Sequence, residues 1–229
     1  MKASLPLTFA ILATISACSS LERSRNLENS AVPVATTAAQ VCSNCHGTDG
    51  NSGSPNFPSL AGQPKAYLVA QLKAFRQHSR ADTAAIQYMW GLTRNLADAQ
   101  IEGLAAYYSA QEPRSPGVGN LRQASAGEEV FQKGIASQNT PPCSTCHGEL
   151  GQGTPVGPRL ASQHAAYIVK QLAAYQTTDD RPDGVVMKAM CAGLTAENMA
   201  DVALYVQGIS TGRFVEEATN ESPYAKNAN

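Results

Sequence analysis

Two five-residue segments hold the side chains best placed to do chemistry: Cys42-Ser43-Asn44-Cys45-His46 and Cys143-Ser144-Thr145-Cys146-His147. Cys-x-x-Cys followed directly by His is the spacing at which a chain attaches haem c. Each thiol adds across one haem vinyl group, sulfur bonding to one carbon and hydrogen to the other. The histidine that follows presents an imidazole nitrogen to the iron from the same turn. Covalent anchor and first axial ligand are then one local unit, and two units imply two haem c groups and electron transfer. Paired cysteines also serve a structural zinc or a dithiol redox couple. Neither needs a histidine after the second cysteine, and here His46 and His147 both stand there, each followed by a glycine, Gly47 and Gly148.

An iron that only passes electrons has its second axial position filled. Two histidines lie outside the motifs, His78 and His164, and neither recurs in the other half of the chain, so both read as surface or capping residues. Met89 and Met187 do recur, each seven residues before a leucine, Leu96 and Leu194. A methionine alone is more often core filler, but Met89 is the only one between the first motif and the mid-chain linker. Met190 is a rival to Met187, while Met199 matches Ile101 and reads as core. Met/His ligation raises the reduction potential. A ligating histidine donates its other N–H to an acceptor, and the carbonyls of Pro58 and Pro158 are the candidates. Cys191 matches Thr93 and reads as a buried, inert thiol. Tyr67, Tyr107, Tyr167 and Tyr205 recur and read as packing around the haems, with hydroxyls that could reach the propionates.

These residues sit in a duplicated unit. The motif recurs 101 residues on; Pro58, Leu60, Gln63, Tyr67, Gln71 and Leu72 recur at an offset of 100; Met89, Leu96 and Tyr107 at 98. Apolar periodicity predicts a helix through Leu68, Leu72 and Phe75, answered by Ile168, Leu172 and Tyr175. Each unit closes with another, carrying Ile101, Leu104, Ala105 and Tyr108, or Met199, Val202, Ala203 and Val206. Pro64 suits a first helical turn, Thr195 a cap, and Ser125 with Glu128 a capping box. Strand signal is nearly absent. The fold class is all-α: two tandem haem units, 39–110 and 123–212, joined by a Pro/Gly-rich linker, 111–122.

The chain has 229 residues, 43% apolar and 15% charged, with a net charge of −1. That leaves no basic footprint for nucleic acid. Lys2 precedes an apolar stretch from Leu5 to Ile15, too short for a span and of signal-peptide type. It ends in Ile15-Ser16-Ala17-Cys18, which looks like a bacterial lipobox. Residues 1–17 then read as a lipoprotein signal, Cys18 as the lipidated first residue, 18–38 as a polar tether and 213–229 as a polar tail. A lipid anchor at a membrane surface follows, and export agrees with haem attachment outside the bacterial cytoplasm.

The chain resembles the dihaem cytochromes c4 over about residues 39–210. The resemblance rests on Cys42-x-x-Cys45-His46-Gly47, Asn56-Phe57-Pro58-x-Leu60-Ala61-Gly62-Gln63, Tyr67-Leu68 and Gln71-Leu72. It continues in Cys143-x-x-Cys146-His147-Gly148, Gln163-His164-Ala165-Ala166-Tyr167 and Lys170-Gln171-Leu172. It implies two class I cytochrome c domains related by a pseudo-twofold axis, haem propionate edges facing across the interface, and Met89 and Met187 as axial ligands. It also implies a periplasmic carrier between an electron-donor complex and a terminal oxidase or similar acceptor. Two departures stand out. The first copy lacks a counterpart of Gly127 and Phe131, which predicts a short or irregular N-terminal helix, and the lipid anchor is not general among such proteins. The rival classes are a dihaem enzyme (peroxidase or sulfur-compound dehydrogenase), which needs an open iron site, a sensor, which needs an output domain, and an electron-transfer subunit of a larger complex.

Overall fold

In both units the haem motif closes a short helix and opens a loop that returns onto a longer one. The computed structural model describes residues 26–181, 184–210 and 213–214. The signal segment, Cys18 and most of the tail therefore lie outside the described residues. In the first unit the chain runs through α1 (Val34–Thr37), a π-helical turn (Ala38–Cys42) and α2 (Ser43–His46). After a loop come α3 (Lys65–Arg76), a second π turn (Ala85–Met89), α4 (Trp90–Thr93) and α5 (Asp98–Ser109). The second unit has α6 (Leu121–Lys133), a 3-10 turn (Ala136–Gln138), α7 (Ser144–His147), α8 (Ala165–Thr177), α9 (Val185–Cys191) and α10 (Ala196–Gly208). Strand structure among the described residues amounts to one isolated bridge, Ile135–Thr140, and a two-residue antiparallel ladder, β1 (Ile209–Ser210) with β2 (Arg213–Phe214). The fold is all-α, as the periodicity predicts.

Each unit has its own core. Leu68, Leu96, Ile101, Leu104 and Tyr108 fill the first, where α3 packs on α5. Phe131, Ile168, Leu194, Met199 and Val206 fill the second, where α8 and α6 pack on α10. Burying each large apolar side chain contributes roughly 1.5–3 kcal/mol. The N-terminal helices differ as the missing Gly and aromatic foretell. In the second unit α6 crosses α10 so closely that a Cβ on Gly127 would lie 2.0 Å from the Asp201 carbonyl oxygen. In the first unit the close approach is made from the other side: a Cβ on Gly103, in α5, would meet Val34 Cγ2 at 2.5 Å. With no long N-terminal helix there, α1, the π turn and α2 do its work.

Two local expectations are corrected. Thr195 caps α10, accepting from the Asn198 N–H at 3.1 Å, but α6 starts ahead of the Ser125–Glu128 pair. Its cap is Asn120, whose side chain accepts from the Gln123 N–H at 3.2 Å. The stretch read as tether is in part folded: Leu27 and Val34 pack on the first core, and Gln100 Nε2 donates to the Leu27 carbonyl at 3.2 Å. A polar composition hid two apolar anchors. The linker is also tied down, with Ser115 Oγ donating to the Gln207 carbonyl and Val118 buried.

The two units meet along paired side chains set by the repeat. Gln63 Nε2 donates to the Arg159 carbonyl at 2.7 Å, and Gln63 Oε1 accepts from the Arg159 N–H at 3.1 Å. One hundred residues away, Gln163 treats Ser59 the same way, at 2.9 and 2.8 Å. His164, read as a surface or capping residue, is buried at this seam; it precedes α8, and its Nε2 lies 2.8 Å from the Ser52 carbonyl oxygen.

Candidate functional site

The two Cys-x-x-Cys-His segments adopt one geometry. Each ends in a histidine on the last turn of a four-residue helix, then a glycine at positive φ, +77° at Gly47 and +87° at Gly148. That conformation favours glycine, and at Gly47 a Cβ would also collide with the Asn51 carbonyl oxygen at 2.4 Å. The loop is pinned to the motif. Ser52 Oγ donates to the Cys45 carbonyl at 2.9 Å, and Thr154 Oγ1 to the Cys146 carbonyl at 2.6 Å. The carbonyls of Gly50 and Gly151 each accept two backbone N–H groups, from residues 60 and 61, or 160 and 161.

Both loops deliver a proline carbonyl to the histidine. His46 Nδ1 lies 2.8 Å from Pro58 O, and His147 Nδ1 lies 2.8 Å from Pro158 O. A carbonyl only accepts, so Nδ1 carries the proton and Nε2 keeps its lone pair. Burial outweighs that contact and holds both imidazoles below their ordinary pKa. Each histidine is thus a neutral, oriented donor of one nitrogen, the form that binds iron. Two thiols stand within a turn of it, and burial pushes those of Cys42 and Cys143 up to about 11. Among the described residues no three Cys, His, Asp or Glu side chains converge on a shared metal position. The donor set suits two separate haem groups better than one zinc.

The methionines lie on the segments that follow. Met89 ends its π turn half-buried, flanked by the exposed apolar side chains of Ile86, Tyr88 and Leu92. An aromatic chain ties this segment to the first histidine: Tyr88 meets Phe57 edge-on at 5.8 Å, and Phe57 meets His46 at 6.3 Å. In the second unit Met187 and Met190 are both half-buried on α9, behind the exposed Val185 and Val186. Gly157 and Val186 replace Phe57 and Tyr88 there. The loop runs closer to the motif, so that a Cβ on Gly157 would lie 2.5 Å from Cys146 O and 3.1 Å from His147 Nδ1. An apolar porphyrin face is the kind of surface these exposed side chains would bury.

Cys191 is buried in the second core, with Sγ 3.9 Å from the Leu172 carbonyl oxygen, and burial raises its thiol. The four tyrosines divide. Tyr107 donates to the Thr48 carbonyl at 2.9 Å and Tyr205 packs against Phe131, whereas Tyr67 and Tyr167 lie at the seam between units.

At that seam the structure assembles a cluster that sequence reasoning missed. Arg80 lies beyond the end of α3 and is 6% exposed; Arg181 is 9% exposed. Arg80 donates to Gln71 Oε1 (2.7 Å), to Asp82 Oδ2 (2.7 Å), and across the seam to Gln171 Oε1 (3.3 Å) and the Tyr167 hydroxyl (3.4 Å). Arg181 donates to Gln171 Oε1, and across the seam to Gln71 Oε1 (3.1 Å) and the Tyr67 hydroxyl (3.3 Å). The guanidiniums lie over matching rings, Phe75 at 4.6 Å and Tyr175 at 4.9 Å. The signal was present: Arg80 and Arg181 recur at the motif's own offset of 101.

The family model described as "Cytochrome c" matches the chain twice, over residues 32–110 and 124–210. Fold and sites together define a tandem c-type cytochrome. Cytochrome c4 of Azotobacter vinelandii is 35% identical over 180 residues, covering 75% of this chain and 85% of that protein. The crystal structure of reduced recombinant cytochrome c4 from Pseudomonas stutzeri superposes with a TM-score of 0.70 at 34% identity, covering 76% of this chain and 96% of that one. The thiosulfate dehydrogenase electron acceptor of Thiomonas intermedia is 35% identical over 143 residues, 60% of this chain and 64% of that protein. The chain belongs to the dihaem cytochrome c4 family; it binds two covalent haem c groups and is an electron carrier rather than an enzyme.

Proposed function

We propose that Cys42 and Cys45 hold one haem by thioether bonds and Cys143 and Cys146 the other, that His46 and Met89 ligate the first iron, and that His147 and Met187 ligate the second. The observation that carries this reading is the duplicated bond from histidine Nδ1 to a proline carbonyl, 2.8 Å in both units. It fixes the tautomer and turns Nε2 outward as the ligand. When bound, each haem supplies a one-electron ferric/ferrous couple, and the chain sets its potential, orientation and access. With both axial positions filled by protein, substrate has no open place on either metal, as a carrier requires.

The chain is divided accordingly into a signal segment (1–17), a tether from Cys18 to about 38, two haem domains (39–110 and 123–212), the joining linker and a polar tail. Lipidation at Cys18 would hold the protein at a membrane surface in the periplasm, with reach set by the length of the tether. Among the described residues no helix is long and apolar enough to cross a membrane. The redox partners in this reading are an electron-donor complex and a terminal oxidase or other acceptor. The likeness to a thiosulfate dehydrogenase electron acceptor favours a second donor class, a sulfur-compound dehydrogenase delivering electrons to this carrier.

A redox-titrated absorption spectrum of the holoprotein tests the ligands. Two haems' worth of the weak far-red ferric band of methionine–iron bonding, with no response to carbon monoxide, is expected; a band worth one haem, or ready carbon monoxide binding, would move the enzyme class ahead. Cys18→Ala should release the protein from membranes, and unchanged retention would remove the lipid anchor.

A further inference from the structure

We propose that Arg80 and Arg181 form one shared charge that raises the reduction potentials of both haems; the proposal rests on the two-haem reading above. Each guanidinium belongs to both domains. Its backbone is fixed to one domain's methionine segment: the Arg80 carbonyl accepts from Trp90 Nε1 at 2.7 Å, one residue past Met89, and the Arg181 carbonyl accepts from the Gly184 N–H at 2.8 Å, at the start of the helix carrying Met187. Its N–H groups reach into the other domain, Arg80 to Tyr167 and Gln171 on α8, Arg181 to Tyr67 and Gln71 on α3.

The same seam also touches the histidine side of both sites. Ser59 and Arg159, held by Gln163 and Gln63, follow directly on Pro58 and Pro158, the acceptors of His46 and His147. The seam therefore carries chain neighbours of both axial sides of both haem sites, and the two arginines lie in it. Both are buried, where a charge acts through little solvent screening.

A positive charge near an iron disfavours the ferric state and raises the potential. Because the guanidiniums share the amide oxygens of Gln71 and Gln171, neither can be moved or removed without disturbing the other. The guanidiniums bond to Gln71, Gln171, Tyr67, Tyr167 and Asp82 and to none of the proposed axial ligands, so they are positioning residues that act through their field. Asp82, paired with Arg80 at 2.7 Å, contributes the opposite sign to the same place.

The test is a potentiometric titration of holoprotein, resolving two one-electron waves, for the wild type and for Arg80→Gln, Arg181→Gln, Arg80→Lys, Arg181→Lys and Asp82→Asn. Each Gln variant is expected to lower both waves, each by about tenfold in the ferric/ferrous ratio at fixed potential, which is 59 mV for a one-electron couple. The Lys variants, which keep the charge and lose the fork, should stay within about threefold of wild type. Asp82→Asn should raise both waves, and decides the matter alone if the Gln variants fail to load haem. Movement of a single wave, of neither, or Lys variants shifting as far as Gln variants would overturn the proposal. A wild-type haem count below two, or no methionine–iron band, would instead strike the two-haem reading.

Discussion

Replacing Gln163 by Leu should remove about 3 kcal/mol from the docking of the two domains. The side chain is 4% exposed and satisfies two backbone groups of the other domain: its Oε1 accepts from the Ser59 N–H at 2.8 Å and its Nε2 donates to the Ser59 carbonyl at 2.9 Å. Leucine fills a similar volume but has no polar atom, so both groups of Ser59, itself 8% exposed, lose their partner. An unsatisfied buried donor or acceptor costs about 1–3 kcal/mol, so the pair costs roughly 2–6 kcal/mol. A seam between domains admits some water, which favours the lower half of that range. At a urea slope of about 2 kcal/mol/M the unfolding midpoint should fall by about 1.5 M. The mirror variant Gln63→Leu, which strips the Arg159 N–H and carbonyl, should cost about as much. Urea unfolding of the holoprotein followed by far-ultraviolet circular dichroism reads both. A midpoint drop below about 0.3 M, near 0.5 kcal/mol, would refute the claim that these glutamines hold the domains together. Ser59 also follows Pro58, the acceptor of His46, so a loosened seam should change the first haem's spectrum before the second's.

Other outcomes follow from the geometry of the sites. Met187→Ala should abolish the far-red ferric band of one haem and let it bind carbon monoxide, while Met190→Ala should leave both haems closed; the reverse pattern would reassign the ligand. Gly157→Ala should push His147 off the Pro158 carbonyl, weaken the imidazole as a donor and raise one potential by about tenfold in ratio, or 59 mV, without touching the other; an unchanged pair of potentials would show that the loop yields instead. Burial would raise the Asp82 carboxyl, but the Arg80 guanidinium outweighs it and holds Asp82 below the usual carboxylate range. The unfolded chain therefore takes up that proton first, near pH 4, and the stability Asp82 contributes is complete above about pH 4 and lost as pH falls through the folded value. Asp82→Asn should flatten this acid limb of the stability–pH curve, and an unaltered limb would assign it to other carboxylates. Haem-free protein should be largely unfolded, since each unit falls near the lower limit for a self-sufficient core; native-like near-ultraviolet circular dichroism would contradict this.

Local features were legible in the sequence because their causes are local. Five adjacent residues specify a haem motif, and the distance from motif to proline is short enough for a single loop to bring Pro58 and Pro158 to the histidine. Helix periodicity placed α3, α5, α8 and α10, whose faces pack within one unit. The misreadings have separate causes. Ser125 and Glu128 have the spacing of a capping box, yet α6 begins at Leu121 because Asn120 offers a cap one turn earlier. Residues 18–38 look like a tether by composition, but Leu27 and Val34 pack on the first core. His164 has no counterpart histidine, and its ring is held at the seam by the Ser52 carbonyl of the other domain.

The seam itself could have been read from the repeat. Where two like domains meet about a twofold axis, equivalent positions face one another or trade partners. An apolar residue found at the same place in both copies needs only its own core: Leu68 and Ile168 are buried within their units. A polar residue found at the same place in both copies gains nothing from its own core, and burying it costs free energy unless it is hydrogen-bonded. Gln63 with Gln163, Gln71 with Gln171, Tyr67 with Tyr167 and Arg80 with Arg181 are such pairs, and all eight side chains make bonds across the seam. Duplicated polar residues thus marked the domain contact as surely as duplicated apolar ones marked the cores. The inference has a limit in the same chain. Tyr107 and Tyr205 also recur, yet the Tyr107 hydroxyl donates to Thr48 within its own unit and Tyr205 packs on Phe131 within its own. What separates the two sets is the segment they occupy: α3 and α8, with the residues just before and after them, face the seam, whereas Tyr107 on α5 and Tyr205 on α10 face their own units. A polar repeat therefore locates an interface only when several members gather on one helix and its flanks, as Tyr67 and Gln71 do on α3 with Gln63 just ahead of it and Arg80 just beyond.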